Sequence, residues 1–159
     1  MSVAQVKEYL KQWDKDSAVL EFEASCATVE LAANVLGCEP ARIAKCLALK
    51  RGAGCVLVVA SGDARLKNSK FREYFGEKAA MLRAEETEAL TGHAVGGVCP
   101  FAVPNPDVQV FLDISLKRFE TVFPACGSSN SVIELTLDEL LVCSKAAGWV
   151  DVCSNWNEE

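Results

Sequence analysis

Three short stretches bring chemically capable residue types close together. The segment TGHAVGGVCPFAVP, Thr91 to Pro104, gathers the chain's only histidine, a paired glycine, a cysteine and two prolines. Gly96-Gly97 opens backbone angles closed to other residues and lets a ligand approach the main chain. Consecutive N–H groups in such a turn form a cradle for an anion or a carbonyl oxygen. Pro100 and Pro104 stiffen the exit. The same residues also fit a bulge between strands, or a thiol site with Cys99 as nucleophile and His93 as base. The second stretch is ACGSSNS, Ala125 to Ser131. Its Gly127, Ser128 and Ser129 suit a polar pocket wall or a plain hairpin connection. The third is Lys45 in ARIAKCLALK, a cation inside an apolar run. It either snorkels outward or offers its charge to a phosphate or carbonyl in a cleft.

Several chemistries are argued against. Eight cysteines occur, but the closest pair, Cys38 and Cys46, is eight residues apart and there is no CxxC. Zinc sites place at least one pair of ligands two to four residues apart. With one histidine besides, no metal and no cofactor is expected. There is no G-x-S-x-G elbow, no P-loop and no dinucleotide fingerprint. The cysteines read as small apolar fillers in a reducing compartment. No apolar run approaches a membrane span, and MSVAQVKEYLKQW lacks the apolar block of a signal peptide. A cytoplasmic protein without membrane contact is the expectation, as a monomer or weak dimer.

The net charge is -6, yet it is unevenly spread. Arg42 to Arg83 carries ten basic residues against Asp63, Glu73 and Glu77, a local +7 that leaves -13 elsewhere. Scattered lysines commonly mean a solvated face. Here they also supply a phosphate-contacting patch, with Lys50, Arg51, Lys67, Lys70 and Arg72 as its candidate members.

These residues need elements to hold them. Val3, Val6, Leu10 and Trp13 form a helical stripe over residues 2–13. AVLEFEAS, Ala18 to Ser25, alternates like a strand. Thr28 caps a helix that runs to Leu36 and stops at Gly37. A helical turn is expected over Pro40–Ala44. Ala44–Lys50 and Cys55–Ser61 read as strands joined by the RGAG turn. Helices are expected over Asn68–Phe75, Ala84–Leu90 and Leu137–Ala146. Further strands are expected over Ala79–Arg83, Val108–Ile114, Thr121–Ala125, Val132–Leu135 and Trp149–Cys153. The mixture lacks strict βαβ alternation. It predicts one α+β domain, a curved mixed or antiparallel, barrel-like sheet flanked by helices, with its core over 18–153.

Together these residues resemble a family. Lys45–Leu47, GHAVGGVCPF at Gly92–Phe101, GSSNSVIELTLDEL at Gly127–Leu140 and TVELAANVLGC at Thr28–Cys38 are similar to the YbaK/EbsC-type aminoacyl-tRNA editing family. That family includes free-standing deacylases and the editing insertion of bacterial prolyl-tRNA synthetase. The resemblance implies a single metal-free pocket that hydrolyses the ester joining a wrong amino acid to the tRNA 3′ end. It implies aminoacyl-tRNA as partner, with a synthetase as a further one, and no DNA. Lys45, Gly96 and Gly97 match its functional lysine and pocket glycines. Thr28, His93, Val98, Gly127, Ser128 and Ser129 are the expected substrate contacts. Insertion-type members carry a histidine in the later loop, where this chain has Ser128, Ser129 and Ser131. That difference leaves the edited amino acid open and keeps a non-catalytic binding module as the alternative.

Overall fold

The computed structural model describes residues 3–156, so Ser2 of the expected first helix lies outside the described residues. Helix α1, Val3–Leu10, buries Val6 and Leu10 completely and continues as a 3-10 turn through Trp13. Strand β1 is only Leu20–Glu21, and helix α2 runs Val29–Leu36. Thr28 Oγ1 accepts from Leu31 N at 3.2 Å, and Gly37 ends the helix at φ 68°. Strands β2, Ile43–Arg51, and β3, Gly54–Ser61, form the long central hairpin. Then come β4 (Arg65–Leu66), α3 (Asn68–Phe75) and α4 (Ala84–Thr91). The chain finishes with β5 (Gln109–Asp113), β6 (Thr121–Pro124), β7 (Ser131–Val132), β8 (Leu135–Thr136), α5 (Leu137–Cys143), β9 (Gly148–Val150) and β10 (Cys153–Ser154).

Six strands make one curled mixed sheet, ordered β8-β6-β2-β3-β5-β9. The β2–β3 and β6–β8 pairs are antiparallel; β2–β6, β3–β5 and β5–β9 are parallel. Central β3 is buried on both faces from Cys55 to Ser61, as its unbroken apolar run requires. Alternation sorts the side chains to two cores. Ala44, Ala48, Leu57 and Val59 pack with α1, Leu116, Ile133 and Leu140. Leu49, Val56, Val58 and Ala60 pack with Phe71 of α3 and with Val152 and Cys153. Helix α2 covers a third cluster, in which its Ala32 and Ala33 join Ile43 of β2 and Phe123 of β6.

Several expected elements are shorter or divided. The strand over Ala18–Ser25 shrinks to Leu20–Glu21, because Val19 rather than Leu20 enters the core. Phe22 then exchanges hydrogen bonds with Asn130, and the chain bends toward α2. The segment Ala79–Arg83 makes one bridge, Leu49 to Met81, instead of a strand. The last expected strand splits into β9 and β10. Asp113, at the end of β5, causes this by accepting from Val152 N at 2.9 Å as well as from Ser115 N at 3.0 Å. Helix α5 stops at Cys143, with Lys145 at φ 53° just beyond.

Candidate functional site

Strand β2 is clamped at both ends of its outer edge and open between. At one end Ile43 and Ala44 pair with Phe123 and Pro124 of β6. At the other, Lys50 N donates to Ala80 O at 2.8 Å, and Leu82 N donates to Ala48 O at 3.1 Å. Among the described residues, no strand lies beside Lys45 to Leu47 on that side. A cavity of about 270 Å³ opens there. Its floor is the row of small side chains Ala44, Cys46 and Ala48. The N-terminus of α2, the bridge segment Met81–Leu82, the Val95–Val98 loop and Phe123 with Ala125 complete the wall.

Lys45 reaches this cavity and is the charged residue in its lining. It is half-buried, and its ammonium donates to the carbonyls of Gly62, at 3.3 Å, and Ala64. An ammonium has three donors, so one N–H remains for a ligand. Burial lowers its pKa, while Cys153 and Asp63 oppose that shift. Gly62 is what lets this turn close. A Cβ there would sit 2.1 Å from Pro40 O and 2.7 Å from Val29 Cγ1.

The two glycines of the other loop have different tasks. Gly96 lines the cavity at φ 98°, a conformation L side chains rarely adopt. Gly97 is buried behind it and does not line the cavity. Its N–H donates to Ala94 O at 3.0 Å, so it offers no donor to a ligand. This corrects the expectation that the consecutive N–H groups of the Gly96-Gly97 turn form the cradle, because the Gly97 N–H is already taken. A Cβ at Gly97 would meet Ser128 N at 2.8 Å, which shows how tightly the two loops abut.

The remaining candidates fall into three groups. Thr28 and Val98 line the cavity. Gly127, Ser128 and Ser129 stand beside it. Gly127 has φ 89°, Ser128 Oγ bonds Ser131 Oγ at 2.6 Å, and Ser129 O accepts from Cys26 N. They hold the α2 entry and the glycine loop in place. His93 is fully buried and does not line the cavity. Its Nε2–H donates to Phe101 O at 2.7 Å, leaving Nδ1 as a buried acceptor without a partner among the described residues. Burial lowers its pKa. Cys99 Sγ lies 3.5 Å from the same Nε2, but burial pushes that thiol up to about 12. An inaccessible, protonated thiol is a poor nucleophile, so the cysteine–histidine reading is not supported.

The basic stretch divides across the sheet. Lys50 follows Ala44, Cys46 and Ala48 in alternation, so it extends the cavity face. Arg51 lies over the Phe75 ring at 5.2 Å, on the α3 side. Lys67, Lys70 and Arg72 sit on or beside α3, and Lys70 pairs with Asp151 at 2.9 Å. Lys50 and Arg51 therefore lie on opposite faces of β2. Sequence reasoning missed Cys26, Ala32, Leu82, Phe123 and Ala125 of the lining. They are small or apolar residues whose only signal is their position on packed elements.

The comparisons with known proteins agree with this architecture. The model of the aminoacyl-tRNA editing domain matches residues 23–143. The "uncharacterized protein YwhH" of Bacillus subtilis (strain 168) is 50% identical over 157 residues, covering 98% of this chain and 99% of that one. A crystal structure of a proposed trans-editing enzyme for prolyl tRNA synthetase superposes with a TM-score of 0.86 at 29% identity, over 97% of this chain and 99% of that one. No helix among the described residues is long and apolar enough to cross a membrane. The clamped strand, its cavity and the paired glycine loops are thus those of a chain that belongs to the aminoacyl-tRNA editing domain family.

Proposed function

We propose that the protein is a free-standing, metal-independent deacylase of mischarged aminoacyl-tRNA. The observation that carries this is the cavity itself. One half-buried cation, Lys45, and a positive-φ glycine, Gly96, share a small, largely apolar space. An aminoacyl ester is already activated, so hydrolysis needs a positioned water and a place for the developing oxyanion. Water adds to the ester carbonyl, the C–O bond to the ribose breaks, and the ribose oxygen leaves with a proton. The Gly96 and Val98 N–H groups face the oxyanion. The free N–H of Lys45 holds the terminal phosphate or the aminoacyl carbonyl. The neighbouring ribose hydroxyl assists the water, as the family resemblance implies, and His93 is not asked to act as base. Lys50 meets tRNA phosphates at the cavity face, and Arg51, Lys67, Lys70 and Arg72 meet a more distant part of the tRNA. A synthetase partner is a natural source of the mischarged tRNA.

The test is a deacylation panel of prolyl, alanyl, cysteinyl, seryl and threonyl esters with wild type and Lys45→Ala. Wild type releases at least one amino acid, and Lys45→Ala lowers its release by about 100-fold or more, the scale of losing one oriented donor. Full activity in Lys45→Ala removes the proposed role. Ligand binding with no turnover on any ester leaves the binding-module reading in its place.

A further inference from the structure

We infer that the open edge of β2 is an amino-group subsite, in which the Cys46 carbonyl oxygen accepts from the α-ammonium of the aminoacyl ligand. The inference rests on the deacylase reading for its ligand. The geometry comes from strand register. The β2–β3 hairpin is closed by Arg51 opposite Gly54 across a two-residue turn. In an antiparallel ladder the backbone groups of alternate residues face the partner strand, and the rest face away. The odd-numbered residues of β2 therefore bond β3, and the even-numbered ones face outward. Lys50 N–H and Ala48 C=O, which meet Ala80 and Leu82, confirm this direction. Ala44 lies beside β6. Cys46 is the outward-facing residue left between the two clamps, and it lines the cavity.

Charge then narrows what the edge binds. An aminoacyl ester brings a positive α-ammonium into the cavity. The lining contains no carboxylate among the described residues, and its one charge, Lys45, is also positive. A salt bridge within the lining is not on offer. A backbone carbonyl is a neutral acceptor that suits a cation, and a hydrogen bond to a charged donor is stronger than one between neutral groups. The two cations stay apart because the Lys45 ammonium is drawn to Gly62 and Ala64. With the amine at Cys46, the amino-acid side chain lies on the Ala44–Cys46–Ala48 floor. That row of small residues leaves room for the side chain above it.

The experiment compares three esters on one tRNA: the amino acid released fastest in the panel, its α-hydroxy acid and its α-deamino acid. Each enzymatic kcat/KM is divided by that ester's uncatalysed hydrolysis rate, which removes the ammonium's intrinsic activation. The α-hydroxy ester keeps a donor and stays within several-fold; the deamino ester falls by about tenfold or more. Equal normalised rates for all three overturn the subsite. A second readout sees the atom directly. Cys46-Leu47 is the only Cys-Leu step in the chain. Labelling cysteine carbonyls with ¹³C and leucine nitrogens with ¹⁵N therefore gives one cross-peak for the Cys46 carbonyl. That carbon shifts when a non-hydrolysable 3′-aminoacylamido-adenosine binds, and not when its deamino analogue does. A bound analogue that leaves the peak unmoved overturns the inference. If no ester is hydrolysed, the deacylase reading fails, while the peak still reports on the subsite.

Discussion

Replacing Gly97 by alanine places a Cβ 2.8 Å from Ser128 N, 2.9 Å from Ser128 Cα and 3.0 Å from Gly127 C. All three are backbone atoms, so no side chain can rotate aside. The loops must separate, and the Gly127–Ser128 turn is itself fixed by the Ser128–Ser131 hydrogen bond. Overpacking of this kind costs about 1–3 kcal/mol. For a chain of this size 1 kcal/mol is about 2–4 °C, so Tm falls by about 2–12 °C. Activity falls further than stability explains, because Gly96 and Val98 move with Gly97. A displacement of about 1 Å in a positioned donor can cost on the order of 100-fold in rate. Gly148→Ala is the control. It has ordinary backbone angles and open space around its Cβ position, and should change stability by less than about 0.5 kcal/mol. Thermal unfolding followed by circular dichroism, with deacylation measured well below each Tm, separates the two effects. A Gly97→Ala protein with unchanged Tm and unchanged kcat refutes the loop-contact argument.

The remaining predictions concern charge and sulfur. His93 is the only histidine, and its folded pKa lies below the ordinary 6.5. The unfolded chain therefore takes up the proton first as pH falls, and stability is lost from about 6.5 downward to the folded pKa, by at most about 1.4 kcal/mol per pH unit. Denaturant unfolding between pH 7.5 and 5 should show this slope in wild type and not in His93→Gln; a slope common to both assigns it elsewhere. Cys99→Ala should keep deacylation within about twofold, and native Cys99 should resist iodoacetamide, as a thiol pushed up to about 12 requires. Loss of activity in Cys99→Ala at unchanged Tm, or alkylation of Cys99 itself, revives the thiol mechanism. Lys50→Glu should raise KM for aminoacyl-tRNA several-fold and flatten its salt dependence, with a smaller effect from Lys67→Glu beside α3. Equal effects would show that the α3 side carries as much of the tRNA contact as the cavity face.

Much of this fold was readable because local signals were strong. Thr28 and Gly37 bound α2 and RGAG turns the central hairpin, as expected, and Gly76 and Gly92 end α3 and α4. The failures have one kind of cause: tertiary partners decide what short segments do. Asp113 takes the Val152 amide and divides a strand. Asn130 captures Phe22 and shortens another. At the site, Lys45, Gly96, Val98 and Thr28 were legible and do converge. The different tasks of Gly96 and Gly97 were not, because only the opposing Ser128 backbone distinguishes them. The basic residues looked like one surface because they are neighbours in sequence, yet strand alternation sends Lys50 and Arg51 to opposite faces.

The clamped edge of β2 also bears on self-association. An exposed sheet edge is a template on which another chain can add a strand, and proteins commonly blunt such edges. Here the bare stretch runs only from Lys45 to Leu47, and it is stopped by β6 on one side and by Ala80–Leu82 on the other. An intruding strand would find one residue, Cys46, with outward groups to pair, too few to hold it. The short interruption of β2 thereby offers an added strand almost no backbone to pair with.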